Sequence, residues 1–261
     1  MTINKFCADT ISEGAFSSIT NNEFIKAIFP TVPEQAFAAI CIKQGNPSEG
    51  GYKAQRADQA AANLVSTANN FVNCSSFYYS DNGSFRALKG KFAACHFLML
   101  DDLGTKVDLD RFEDFDLSWL LETSPGNYQA GIIFDKPIIE GAEAERLLNT
   151  LIEANLCDAG ANQPLARWAR MPVAINGKPA HQTESGAPFK CRLIDWRPDY
   201  RYSPEAIVEG LHLELAPAGR PKKTKVLGRS LIIRSADEGV HTPAPTENPI
   251  LANLKAHGLY K

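Results

Sequence analysis

The chain lacks any clustered cysteine motif. Its six cysteines, Cys7, Cys41, Cys74, Cys95, Cys157 and Cys191, stand far apart, with no Cys-x-x-Cys pair and no Cys/His spacing of the zinc-binding kind. That pattern points to reduced thiols in a cytoplasmic protein. Long apolar runs are missing too: no window approaches the ~18 uninterrupted apolar residues that read as a membrane helix, so no membrane partner is expected. The N-terminal stretch MTINKFCADT does not place a basic region before an apolar one, which excludes a signal peptide of the usual form. There is no GxxxxGK[ST] phosphate loop. Positive charge is not in excess either. Lys+Arg number 27 against 30 Asp+Glu, a net charge of -3, so any nucleic-acid surface has to be local. No internal repeats are evident.

What is present suits one large domain, or one domain and an extension: 261 residues, of which 44% are hydrophobic. Asn21–Phe29 reads as a short helix stopped by Pro30, and residues 44–52 (QGNPSEGGY) as a Gly/Pro loop. The Ala- and Gln-rich run Gln55–Asn69 reads as a helix. Phe71–Tyr79 is β-rich and is followed by a turn at residues 80–84. Ala93–Leu100 reads as a buried strand. Ser118–Glu122 and Tyr128–Phe134 read as two strands joined by the TSPGN turn. Glu140–Leu156 is the clearest helix, with Leu147, Leu148, Leu151, Ile152 and Leu156 on one face. Cys191–Trp196 reads as a further strand, and Ser203 followed by Pro204 starts a helix reaching about Leu213. The order predicts an α+β sheet domain over residues 1–215. Residues 216–225 and 235–249, rich in Pro, charge and small side chains, read as linker, and Asn248–Tyr260 as the start of a further element of a longer protein.

Chemistry concentrates in three places. Asp101 and Asp102 follow the apolar run FLML, where paired carboxylates at a strand mouth suit a Mg²⁺ or Mn²⁺ ion neutralising a triphosphate. Adjacent strand residues point to opposite faces, so convergence of the pair requires the strand to break, and Leu103-Gly104-Thr105 offers such a break. An ordinary solvated turn is the competing reading. Next, the Ser124-Pro125-Gly126 turn leads into Asn127 and Gln129, whose i, i+2 spacing sends two amides to one strand face, toward phosphate or sugar oxygens or merely toward water. Then Pro164–His181 brings Arg167, Arg170, Lys178 and His181 around an Asn176-Gly177 turn, and Arg forks match phosphate oxygens. Trp168 reads as packing, with base stacking as the alternative. Asp158 is a candidate third carboxylate and Asp195 competes with it. Arg86, Lys89 and Lys91 stand before the acidic strand, as a charged loop or within reach of a triphosphate or template. His96, inside an apolar strand, reads as core.

Together the blocks LDDLGTKV, LETSPGNYQA and RWARMPVAINGKPAH resemble, in order and spacing, the first acidic motif, the second motif and the Arg-x-Pro…Asn-x-Lys block of the archaeo-eukaryotic primase superfamily, most closely the RepB-type primase domains of plasmid and phage replication proteins. The resemblance covers about residues 71–196. NPILANLKAHGLYK resembles the junction that precedes a helicase-type region in phage primase–helicases.

This resemblance implies a primase-polymerase fold with an RRM-like core, and template-directed nucleotidyl transfer on single-stranded DNA with NTPs or dNTPs. It implies Mg²⁺ or Mn²⁺ on Asp101, Asp102 and Asp158. It assigns nucleotide or template contacts to Asn127, Gln129, Arg167, Arg170, Asn176, Lys178 and His181, and a helicase region or partner downstream. Two departures stand out: the family's Asp-x-Asp or Asp-x-Glu is here an adjacent pair, and its Ser-x-His is here Asn127-Tyr128-Gln129. A non-catalytic DNA-binding module and a metal-dependent nuclease are the competing functions.

Overall fold

The computed structural model describes residues 19–158 and 164–215. The expected linkers, the element at Asn248–Tyr260 and the domain boundary beyond residue 215 lie outside the described residues.

Among the described residues nine strands form one sheet, in the order β10-β5-β6-β4-β3-β1-β2, with β11 beside β6 and β7 beside β3. The strands are β1 (Phe37–Lys43), β2 (Gln55–Arg56), β3 (Asn69–Phe77), β4 (Phe92–Leu103), β5 (Trp119–Ser124), β6 (Asn127–Ile138), β7 (Trp168–Arg170), β10 (Arg192–Trp196) and β11 (Arg201–Tyr202). A separate ribbon pairs β8 (Ile175–Asn176) with β9 (Phe189–Lys190). The helices are α1 (Asn21–Ile28), α2 (Ala57–Ala60), α3 (Gly141–Glu153) and α4 (Pro204–Gly210). All pairings in the large sheet are antiparallel except β11 with β6. The α+β expectation therefore holds.

Local chemistry explains the helix ends. Thr20 caps α1 by accepting from the Glu23 amide at 3.2 Å, while Glu23 accepts from the Thr20 amide at 2.8 Å, a capping box. Ser203 caps α4 by accepting from the Ala206 amide. Leu147, Leu148 and Leu151 of α3 are buried against the sheet, as their spacing predicts.

Several expected helices are shorter than their composition suggests, α3 among them, which spans Gly141–Glu153 of the expected Glu140–Leu156. The run Gln55–Asn69 is helical only at Ala57–Ala60, with one 3-10 turn after it, and Asn69 already opens β3. The helix after Ser203 ends at Gly210. Strand β1, which carries no strong alternation, is present without having been expected. All nine residues of β3 are buried although five are Asn or Ser. Two of the amide NH2 groups are held by backbone carbonyls: Asn69 donates to Lys43 and Gly45, and Asn70 to Val65 and Val173.

Strand β3 is shared. Its C-terminal half pairs with β4 (Ser75 opposite Cys95), while its N-terminal half pairs with β7 (Phe71 opposite Arg170). The sheet thus forks, and β7 enters beside the end of β4 that carries the acidic pair.

Candidate nucleotide site

The acidic pair converges by a bulge, not by a break. In the β4–β6 ladder Leu100 faces Ala130 and Leu103 faces Tyr128, so Asp101 and Asp102 together oppose the single residue Gln129. Asp102 has φ of 58°, the left-handed region that an Asp tolerates better than most residues. The strand continues to Leu103. The expectation that the pair follows the strand is corrected accordingly: both acids are strand residues, and the extra one turns the second carboxylate toward the first one's face.

Each carboxylate is then held from two sides. Asp101 accepts from Gln129 Nε2 at 3.1 Å and from Arg167 Nη2 at 3.0 Å. Asp102 accepts from Asn127 Nδ2 at 3.1 Å, and its other oxygen lies 2.6 Å from Lys106 Nζ. Burial opposes ionisation of Asp102, but the Lys106 and Asn127 hydrogen bonds and the nearby Lys178 charge outweigh it, and its pKa falls below the ordinary carboxylate value. Lys106 also reaches Asp158 Oδ1 at 3.2 Å. One ammonium therefore spans Asp102 and Asp158, which places Asp158 at the same edge.

The second motif behaves as its spacing predicts, since Asn127 and Gln129 leave one face of β6. The turn before them is clamped by Glu122, a buried acid that sequence reading passed over. It accepts from the Gly126 amide at 3.0 Å and pairs with Arg192. The two amides, however, are committed to the acids. Gln129 Oε1 accepts from the Arg170 amide at 3.0 Å, and Asn127 Oδ1 accepts from Thr105 Oγ1 at 3.1 Å. They orient carboxylates first, leaving less for phosphate than expected.

The basic segment divides. Arg167 is in the site through Asp101. Arg170 is only 4% exposed and donates to Asn69 Oδ1, the Ile175 carbonyl and Asn176 Oδ1 at 3.2, 2.7 and 2.8 Å. Asn176, itself buried, donates to the Thr123 carbonyl at 2.7 Å. These two side chains are framework beneath the site, joining β3, β7 and β8 to the β5–β6 hairpin, because three neutral oxygens already surround the guanidinium. Lys178 and His181 follow at the surface. The His181 pKa is lowered by partial burial and then by the charges of Lys178 and Arg170, while Asp102 pulls the other way.

Several candidates stand elsewhere. Asp195 pairs with Arg197 on β10, a guanidinium it shares with Asp116. Lys89 pairs with Glu145, and Lys91 with Asp81. Lys91 precedes the first residue of β4 whereas Asp101 is near its last, a separation of about 30 Å along an extended strand, so the charged-loop reading is the one that fits. His96 is core: Nε2 lies 3.0 Å from Ser76 Oγ and burial drives its pKa down to about 3.

Trp168 is half-buried and stacks on Tyr52, with ring centroids 5.7 Å apart and planes 15° apart. In the sequence Tyr52 is only the last residue of the Gly/Pro loop at 44–52, with no motif to mark it. Burial raises its phenol pKa, and Arg170 and Asp101 are close enough to act on it.

The donor set fits an oxygen-seeking divalent ion. Two carboxylates share one face, and the Lys106 ammonium already occupies a cation position between Asp102 and Asp158. Among the described residues no group of three or more His, Cys, Asp or Glu is gathered to hold a metal ion. Mg²⁺ usually takes one or two carboxylates and completes its shell with water and substrate phosphate. The five described cysteines are free thiols, and no described helix is long and apolar enough to cross a membrane.

Residues 44–216, about two thirds of the chain, match the family described as the RepB DNA-primase N-terminal domain. The chain belongs to that family. Among solved structures it is similar to the AEP domain of the cyanophage S-2L primase-polymerase, at 12% identity and a TM-score of 0.49 over 72% of this chain and 95% of that one. It is similar also to primase RepB′, at 14% identity and 0.49, over 74% of this chain and 62% of that one. The catalytic domain of primase RepB′ in complex with initiator DNA gives 15% and 0.48, over 74% and 94%. No curated protein sequence matches the chain.

Proposed function

We propose that this domain is a DNA primase-polymerase: a metal-dependent nucleotidyltransferase that copies single-stranded DNA from NTPs or dNTPs, in the cytoplasm, during phage or plasmid replication. The observation that carries the reading is the bulge. It brings Asp101 and Asp102 together opposite Gln129, beside Arg167, at the fork of the sheet. The family match over residues 44–216 supports it.

In this reading Asp101 and Asp102 hold Mg²⁺ or Mn²⁺, with Asp158 joining through the edge that Lys106 now bridges. When bound, the ion supplies neutralising charge for the triphosphate and favours ionisation of the attacking 3′-hydroxyl. The protein does the rest. Gln129 and Asn127 fix the carboxylate orientations. Arg167, Lys178 and His181 face the phosphates and offset the charge that develops as pyrophosphate leaves. Arg170 and Asn176 keep β7 and the Asn176-Gly177 turn in place. The domain ends near residue 215, and the chain beyond it connects to a helicase-type region or partner.

The test is primer synthesis on single-stranded templates with labelled nucleotides, with and without Mn²⁺. Wild-type protein yields products that lengthen with time; Asp101→Asn yields none while its circular dichroism is unchanged. Full activity in that variant would remove the metal assignment.

One observation favours a second reading. Both acids are already countered by built-in cations, Arg167 on Asp101 and Lys106 on Asp102. A module that only binds DNA would keep such a neutral site. It would show salt-sensitive binding without added metal and no incorporation of nucleotides.

A further inference from the structure

Beside the acidic pair lies a group of rings that the nucleotidyl-transfer roles do not use. Tyr52 is 44% exposed, the largest exposure of any aromatic side chain among the described residues. It rests flat on Trp168 and edge-on against Phe71, whose centroid is 5.0 Å away. Phe71 and Arg170 are paired across β3 and β7, and the Arg170 guanidinium lies 4.8 Å from the Phe71 ring centre. Trp168 and Arg170 are two apart on one strand and so share a face. Arg167, next in sequence to Trp168, reaches Asp101. Arg170 and Asp101 are both close enough to act on the Tyr52 phenol, so the rings lie near the candidate site.

The arrangement is preformed. Tyr52 ends the Gly/Pro loop that follows β1, and Lys43 pins that loop: its ammonium donates to the carbonyls of Pro47, Glu49 and Gly50 at 2.7, 2.7 and 3.2 Å. The same ammonium lies 4.9 Å from the Tyr52 ring centre. The loop is also seated on the Asn176-Gly177 turn. A Cβ at Gly177 would lie 2.1 Å from the Gly45 carbonyl oxygen, so only glycine permits the approach. The ring is thus stacked on Trp168 and overlain by the Lys43 ammonium, yet is still 44% exposed, which leaves surface for a further partner.

We propose that the exposed face of Tyr52, backed by Trp168, is a stacking platform for a base of the single-stranded DNA that enters the acidic site. This rests on the primase reading and adds to it the place where the strand is gripped. Stacking on an aromatic face is tolerant of base identity, as a template reader requires. The base takes the place of the Lys43 ammonium over the ring, and that ammonium then meets a flanking phosphate. The platform holds the strand, not the incoming nucleotide, whose triphosphate belongs with Arg167 and the acids.

The full chain is titrated by fluorescence anisotropy against a labelled oligothymidine of about 20 nucleotides, long enough for one site, and separately against a fluorescent deoxynucleoside triphosphate. Tyr52→Leu keeps apolar bulk and loses the π face. It should bind the oligonucleotide about tenfold more weakly or worse, with nucleotide binding unchanged, while Tyr52→Phe binds as wild type. Unchanged oligonucleotide binding by Tyr52→Leu overturns the platform. So does a loss confined to the nucleotide.

A wild-type protein that binds the oligonucleotide but never extends a primer removes the primase reading and leaves the Tyr52→Leu comparison to decide the platform. A second measurement needs no variant. An oligonucleotide carrying 5-iododeoxyuridine is photocrosslinked to wild-type protein, and the crosslinked peptide should contain Tyr52; a map without Tyr52 also overturns the assignment.

Discussion

Gln129 and Asp101 face each other across the β4–β6 ladder, with Gln129 Nε2 donating to Asp101 Oδ1 at 3.1 Å while Gln129 Oε1 accepts from the Arg170 amide at 3.0 Å. One buried amide therefore ties an acid of the site to β7. This is a positioning role, and it differs from direct phosphate contact.

Gln129→Leu removes both bonds at nearly constant volume and leaves the Arg170 amide buried without its acceptor. The expected loss of stability is about 1–3 kcal/mol, read from urea unfolding. Primer synthesis should fall as well, because Asp101 then keeps Arg167 but loses its orienting amide. A variant with wild-type stability would show that the Gln129 bonds to the backbone contribute nothing.

In the proposed metal site, Lys106 would compete with a divalent ion for Asp102 and Asp158. Its side chain is 60% exposed, so the two ion pairs are individually weak, of the order of 0.2–1 kcal/mol each. Lys106→Gln should therefore bind Mn²⁺ more tightly, by up to about fivefold, measured by calorimetry in the absence of nucleotide. Weaker binding in the variant would mean that Lys106 helps to assemble the site instead of guarding it.

His96 gives the fold a pH dependence with a definite sign. In the unfolded chain its imidazole takes up a proton near 6.5; in the core it resists until about pH 3. The folded pKa is depressed, so the stability associated with neutral His96 is complete above 6.5 and is lost as pH falls toward 3. The slope is up to about 1.4 kcal/mol per pH unit, or about 2 kcal/mol between pH 7 and pH 5. Urea midpoints across that range should show the decline, and His96→Gln should flatten it.

Much of this molecule can be read from its residues. The β5–β6 hairpin followed from Pro125-Gly126, α3 from its leucine spacing, and the union of the acids with Asn127 and Gln129 from motif order. What could not be read has physical causes. The run Gln55–Asn69 has good helix formers, but intrinsic preference is weak beside tertiary pairing, and Asn69 is claimed by the Lys43 and Gly45 carbonyls. Strand β3 is legible from Phe71 onward, but its complete burial is not, because five of its nine side chains are Asn or Ser. Alternation forbids Asp101 and Asp102 to converge, and only an extra residue with φ of 58° permits it, a backbone choice that no side-chain pattern announces. Arg170 reads as a nucleotide or template contact; its burial depends on Asn69, Ile175 and Asn176 gathering around it.

The bulge at Asp101–Asp102 has a genetic consequence. Opposite Gln129 the regular ladder has room for one residue, and β4 supplies two. The site is thus one codon away from not existing. An in-frame deletion of Asp102 would let Leu103 close up one place, restore an unbroken ladder and leave a sound sheet carrying a lone acid. Conversely, a plain strand of this kind needs only a single-codon insertion at that point to gain a second carboxylate on the same face, without any change in the core that supports it.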